Sequence, residues 1–468
     1  MKKKMLNIGL IFIFAFSSSS VFAENLKTSA QRTLTMSEFI KTAVKNDEAF
    51  EEILTAQLAL KYQKDLALPA KDLILSVKGQ HEFYLNQDRS DPKIAVSLSK
   101  LFPYSGTEIS AEYSATPYSS AEGVSSIMSL YFSQPIAKNA FGKATGLLDK
   151  ITGAETAIAS YQITEAYEDY LASVIIVYYN WYSAFENLRI GNSSYEQSLK
   201  LLDNIKKRRK SNIALPIDVN KIKIQVLAKK ENLIALEKSY AASLNSIKQA
   251  IRYKEKNILE PATFFELGKS EVFFEKEYKN FIDSSRTYNI LKLLEKKSSL
   301  NIDKYADNLL PSTNLLFGYK INGDDFAFKG SDSNLYGGIS FKWLFSDQVG
   351  KANYEIAKIT DKTTVLSNKG KYIKIETDLK NLYLQIEKER KLIETSDEKI
   401  KLSKLILKDE TVNYSYGKVS LNDLIDAVNR IDDNSFNKLS HLVSYKILMT
   451  EWLRITDKLV TSNDRKKQ

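Results

Sequence analysis

Two periodicities take turns along the chain. Over residues 36–67 the apolar positions Phe39, Ile40, Val44, Phe50, Ile53, Leu54 and Leu58 recur at helical spacing, and Leu68-Pro69 ends the run. Within residues 70–136 the period falls to two. Ile94, Val96 and Leu98 alternate with Ala95, Ser97 and Ser99, and Ile109, Ala111, Tyr113 and Ala115 alternate with Ser110, Glu112 and Ser114. Leu73 to Tyr84 and Val124 to Ile136 fit the same pattern less cleanly, so four strands are predicted, each with one apolar and one polar face. Pro103 to Gly106 reads as a turn between the middle two, with polar loops at 86–91 and 117–123 at the opposite end. Residues 139–210 contain no proline and predict one helix, roughly 105 Å long at about 1.5 Å per residue. A further helix spans 216–252, and 254–275, with Pro261 and Gly268, reads as a connector.

The second half follows the same plan. A helix at 288–309 ends at Leu310-Pro311, two alternating strands lie within 312–345 around a Gly/Asp/Ser loop at 323–333, and helices follow at 348–416 and 420–460. The polar tail 461–468 is predicted to be disordered. Two markers fix the offset: Gly142-Lys-Ala and Gly350-Lys-Ala stand 208 residues apart, while Asn212 and Gly417 stand 205 apart. Each of the latter closes a long helix and precedes an aspartate by six residues, Asp218 and Asp423. The chain therefore reads as two tandem repeats, 24–253 and 276–460.

The turns carry the most local chemistry. Gly417 suits the left-handed closure of a helix, and Asn212 is the residue type that best replaces glycine there. Ser420 with Asp423 predicts an N-cap and an acidic first turn, and Pro216 suits a first helical turn. Asp423 and Asp426, three apart, share a helix face.

Composition and charge remove several classes of function. Lysines at positions 2 to 4, an apolar run from Met5 to Phe16 and Val21-Phe22-Ala23 predict a signal peptide over 1–23. There is no cysteine, so no disulfide framework or lipid-modified N-terminal cysteine follows it. The formal charge of +10 falls to +7 without the three leader lysines, and the remaining charges are interspersed, which argues against a nucleic-acid partner. No later stretch has the ~18 consecutive apolar residues of a spanning helix. His81 and His441, the only histidines, lack ligand spacing, and no nucleophile motif is present, so neither an enzyme nor a cofactor or metal site is expected.

The ordered set of helix, Leu-Pro, strand, loop, strand, long helix, glycine turn and Asp-containing helix resembles the TolC family of bacterial outer-membrane efflux proteins. The resemblance rests on Leu68-Pro69, Leu310-Pro311, Ser133-Gln-Pro135, Leu344-Phe345 and the spacing Tyr414, Gly417, Ser420, Asp423, Asp426, and covers nearly all of the mature chain. It implies a mainly α fold with transmembrane β, in which a homotrimer shares one outer-membrane β-barrel and one long α-helical coiled-coil tunnel across the periplasm. The implied function is a passive channel-tunnel of a tripartite efflux pump or type I secretion system, working with a periplasmic adaptor and an inner-membrane transporter. Barrel closure agrees independently, since open sheet edges are not tolerated in lipid. The competing reading, a periplasmic coiled-coil adaptor or structural envelope protein without a pore, leaves the strands without a purpose.

Two details go further. From Pro69 to Gly142 is 73 residues, from Pro311 to Gly350 only 39, and the 34 extra match one more hairpin at Pro92 to Thr116. Four strands from one repeat and two from the other give 18 in a trimer, against the family's usual 12; the alternative is a hairpin folded over the end of a 12-stranded barrel. In the family the turn lies at the periplasmic tip, so the resemblance implies acidic rings of Asp423 and Asp426 at the pore constriction, selecting against anions and able to hold a divalent cation. Tyr414 and Asp218 match positions that bond across the two turns. Val419 stands where the family has a third, arginine member, with Lys418 beside it, so a weaker lock is expected. Taken singly, these residues equally suit plain helix caps at a tip held by apolar packing.

Overall fold

A computed structural model of the protein describes residues 31–85, 89–117, 124–253, 258–262, 274–326 and 332–460. The expected signal peptide, the tail at 461–468, most of the 254–275 connector and parts of the loops at 86–91, 117–123 and 323–333 lie outside these residues. The elements run β1 (Gln31–Leu34), α1 (Met36–Asn46), α2 (Glu48–Leu60), α3 (Gln63–Ala67), β2 (Leu73–Tyr84), β3 (Arg89–Phe102), β4 (Thr107–Thr116) and β5 (Ser125–Pro135). After a short 3-10 turn come α4 (Lys143–Lys210), α5 (Pro216–Ala250), β6 (Ile258–Pro261), α6 (Phe274–Ser284), α7 (Arg286–Asn308), β7 (Ser312–Gly323), β8 (Asp332–Lys342), α8 (Gln348–Ser415) and α9 (Leu421–Ile455). The chain divides into two compact units, Met1–Leu54 with Thr164–Ser285 and Lys374–Gln468, and Thr55–Ile163 with Arg286–Ile373.

The second unit holds one antiparallel sheet in the order β2-β3-β4-β5-β7-β8. All six strands stand where the alternation predicted them, and the Pro92–Thr116 hairpin is hydrogen-bonded into the middle of the sheet. The register aligns like with like. Leu75, Leu98, Ala111, Leu130, Tyr319 and Leu335 are successive cross-strand partners, and the neighbouring row one residue along reads Ser76, Ser97, Glu112, Ser129, Lys320 and Asn334. Because side chains alternate across a sheet, the first row makes one continuous apolar face and the second one continuous polar face. Polar clips join α7 to α8 in this unit: Asn368 Nδ2 donates to the Leu291 carbonyl at 2.9 Å, and Ser298 Oγ donates to Asp361 at 2.6 Å. Asp307 is buried and accepts the Asn139 backbone N–H at 2.9 Å, tying the end of α7 to the start of α4.

The first unit is organised around Tyr178 and Trp181 of α4, both fully buried among Leu34, Phe39, Ala43, Val174, Ile247, Ile251 and Leu259. The aromatic run at Tyr178–Tyr182 thus serves helix packing, and the Tyr178 hydroxyl donates to the Leu34 carbonyl at 2.8 Å. Three features differ from the sequence expectation, one of them α6, a helix before the expected 288–309 helix that the sequence did not announce. The 36–67 helix is three helices, broken at Asp47 and again at 61–62; at the first break Asp47 leaves the helical conformation (φ −99, ψ 123) to accept the Ala49 N–H at 2.9 Å and the Tyr170 hydroxyl at 2.7 Å. The 254–275 connector contains β6, which pairs in parallel with β1, a strand the sequence did not announce. Both are only four residues long, too short for alternation to show. No helix among the described residues is long and apolar enough to cross a membrane.

Candidate functional site

The two turns, Asn212 between α4 and α5 and Gly417 between α8 and α9, are built alike. Asn212 (φ 56) and Gly417 (φ 72) are left-handed. Ile213 N–H returns to the Arg208 carbonyl at 2.9 Å and Lys418 N–H to the Asn413 carbonyl at 2.9 Å, with tighter bonds from Asn212 N–H to Arg209 O at 3.0 Å and from Gly417 N–H to Tyr414 O at 3.1 Å. Each is a Schellman closure, satisfying carbonyls that the helix end leaves open. Leucine cannot supply a capping hydroxyl, so α5 has half of the cap that α9 has in full. Leu215 N–H donates to Asp218 Oδ2 at 3.0 Å, whereas Ser420 and Asp423 exchange bonds in both directions, Ser420 N–H to Asp423 Oδ2 at 2.9 Å and Asp423 N–H to Ser420 Oγ at 3.3 Å.

A small core joins the hairpins. Ile205, Ala214, Ile222 and Leu421 are buried together, with Leu201, Leu202, Val219, Tyr414 and Ile425 around them. On its edge the Arg208 guanidinium lies 4.9 Å from the centre of the Tyr414 ring and donates a long bond, 3.4 Å, to the Tyr414 carbonyl. The Arg208 Nε is buried without a hydrogen-bond partner. Burial raises the Tyr414 pKa above the usual phenol value, with Asp218 adding to the rise and Arg208 opposing it.

The structure therefore brings Tyr414 and Asp218 into one neighbourhood without the bond between them that the sequence led one to expect; the Asp218 carboxylate caps its own helix, and Arg208 occupies the Tyr414 ring. Arg208 was missed because it lies in the helix before the other turn, and no spacing within one turn points to it. Asp423 is likewise held on its own cap, where the Ser420 hydroxyl and N–H keep its carboxyl below the ordinary value of 3.8. Asp426 is exposed on the same helix and makes no hydrogen bond or ion pair among the described residues.

Further along these helices lies a polar cluster that sequence reasoning also missed. Asp432 of α9 is buried, accepts the Ser194 hydroxyl of α4 in a short bond and pairs with Lys229 of α5 at 2.8 Å. Beside it Gln225 donates to Asn429 at 2.6 Å. A signal existed: Asp432 falls on the row of Leu421, Leu424, Val428, Leu439 and Val443, a charge in an apolar phase. Among the described residues no group of three or more His, Cys, Asp or Glu side chains is placed to hold a metal.

No family model matches the sequence, and no curated protein matches it by sequence. Solved structures match its fold. The outer-membrane channel OprN aligns with a TM-score of 0.67 at 11% identity, covering 90% of this chain and 89% of that one. The outer membrane protein VceC of Vibrio cholerae gives 0.67 at 10% identity over 90% and 95% of the two chains, and the open-state outer-membrane channel MtrE of Neisseria gonorrhoeae 0.65 at 14% identity over 90% and 88%.

Proposed function

We propose that this chain, whose fold is that of the TolC-like outer-membrane channels, is one subunit of a homotrimeric channel-tunnel of the TolC family. It would conduct substrates passively from an inner-membrane transporter and its periplasmic adaptor across the outer membrane, for an efflux pump or a type I secretion system. The observation that carries this reading is the two-faced sheet. A row of six apolar side chains across every strand, backed by a row of polar ones, is the pattern of a barrel wall with lipid on one side and water on the other. The strands, 10 to 14 residues each, are long enough for a tilted span, which takes about 9–11.

A six-stranded sheet with open edges at β2 and β8 cannot stand in lipid alone. Three copies joined β8 to β2 close a barrel of 18 strands, against the family's usual 12. A tandem repeat is supported by equal lengths, 68 residues for α4 and α8 and 35 for α5 and α9. The turns form the gate: Asp426, and Asp423 beside it, line the constriction, while Tyr414 and Asp218 sit where the two hairpins meet. The absence of native cysteine makes the test direct. Paired cysteines, one in β2 and one facing it in β8, should link copies into dimers and trimers on the gel, and the detergent-purified protein should weigh three chains and conduct ions in planar bilayers. A monodisperse monomer that inserts no channels would overturn the reading.

A further inference from the structure

The polar face of the sheet carries an aromatic step. Tyr131 of β5, Gly318 of β7 and Tyr336 of β8 are successive cross-strand partners on that face, two residues along from the polar row that holds Glu112, Ser129, Lys320 and Asn334. The Tyr336 ring lies across Gly318. A Cβ at position 318 would stand 2.1 Å from Tyr336 Cζ and 2.6 Å from Cε1, so any residue but glycine would push the ring off the strand. Gly318 is buried under it, while Tyr336 itself is 42% exposed, its outer side left to solvent. Further along β8 the floor stays open, since a Cβ on Gly338 would meet nothing within 4 Å. Neither Tyr131 nor Tyr336 has a hydrogen-bond partner for its hydroxyl among the described residues, and Glu112, Lys320 and Asn334 make no ion pair or hydrogen bond there either. A surface that only needed filling would have been served by serine at 318, as at many positions of this face; glycine is required only for the ring to lie where it does.

We propose that this platform binds a neutral oligosaccharide, one sugar ring stacking on Tyr336 and a further one beside Tyr131, with Glu112, Lys320 and Asn334 bonding their hydroxyls. A pyranose has an apolar C–H face and a rim of hydroxyls. The platform offers the complement: an open aromatic face about 7 Å from side chains whose donors and acceptors are unused. Tyr131 and Tyr336 stand two strand spacings apart, about 9.6 Å, which separates successive sugars rather than clamping one. Glu112 and Lys320 cancel in charge, so neither an anionic nor a cationic ligand is favoured. A planar aromatic ligand would leave its second face in water. That this face lines a lumen, and meets cargo, rests on the channel reading.

The test titrates the full-length protein in detergent with maltohexaose and cellohexaose, read by saturation-transfer NMR, with hexagalacturonate as the charged counterpart. At least one neutral hexasaccharide should bind saturably in the millimolar range, roughly tenfold or more tightly than hexagalacturonate. Tyr336→Ala should weaken that binding roughly tenfold, and Gly318→Ala, which evicts the ring without removing it, about as much, while Tyr336→Phe should keep most of it. A ring that merely covers the glycine would move none of these. The trimer mass and single-channel conductance should stay those of the parent, showing the wall intact, and the bound sugar should interrupt the parent's current more than that of Tyr336→Ala. No saturable binding of either neutral hexasaccharide up to about 10 mM, equal binding of hexagalacturonate, or binding that survives Tyr336→Ala would overturn the proposal. Absent binding in a protein that conducts refutes the sugar site alone, whereas sugar binding in a protein that opens no channels upholds the site and refutes the channel.

Discussion

The Arg208–Tyr414 contact adds to the apolar core that holds the two turns together, and it can be taken apart one group at a time. Arg208→Ala removes a cation stacked on a part-buried ring, an interaction of about 1–2 kcal/mol when partly desolvated. The 3.4 Å bond to the Tyr414 carbonyl adds little at that length. Against the loss stands the buried Nε, which has no partner and whose removal relieves a desolvation penalty. The net is about 1 kcal/mol, a roughly fivefold rise in the local opening constant. Hydrogen exchange read by mass spectrometry over residues 408–420 should accelerate by that factor, while peptides around Tyr178 and Trp181 stay unchanged. Tyr414→Leu should match Arg208→Ala, and the double variant should add little more, giving a coupling of about 1 kcal/mol. Tyr414→Phe is the deciding variant. It keeps the ring and discards only the hydroxyl, so exchange should be nearly unaltered; if Phe is as damaging as Leu, the hydroxyl carries the lock and the reasoning from Arg208 is wrong.

Other expectations follow from the same structure. Asp432→Ala leaves the part-buried Lys229 without its anion and should destabilise the helices around it by about 1.5–3 kcal/mol, seen as a lowered unfolding temperature in detergent, while Asp432→Asn should lose less. The Asp423 cap has a folded pKa below 3.8, so its contribution is complete above that value and disappears as pH falls through the lower folded value; protection of residues 420–424 should drop there in the native protein and be pH-independent in Asp423→Asn. Asp426→Ala should reduce cation preference in planar bilayers more than Asp423→Ala, because the Asp423 carboxylate is engaged by Ser420 and Asp426 is free of such bonds. Unchanged selectivity with both aspartates removed would take the constriction away from this helix.

Much of this protein is written in local patterns. Period-two alternation located every strand of the six-stranded sheet, because a sheet with one apolar and one polar face forces the pattern onto each strand separately. The Leu-Pro breaks, the left-handed Asn212 and Gly417 and the Ser420–Asp423 cap were legible for the same reason, each being settled within a few residues. Other features depend on groups far apart in sequence. Whether the Pro92–Thr116 hairpin enters the sheet depended on bonds to β2 and β5, not on the hairpin's own residues. The break at Asp47 is set by Tyr170, and the four-residue strands β1 and β6 exist only through each other. Arg208 reached Tyr414 across 206 positions, and Asp432 found Ser194 across 238. Alternation, caps and breakers act through a residue's immediate neighbours and so belong to the sequence; a partner for a buried charge or an aromatic face is created only when distant helices pack, and so belongs to the tertiary structure.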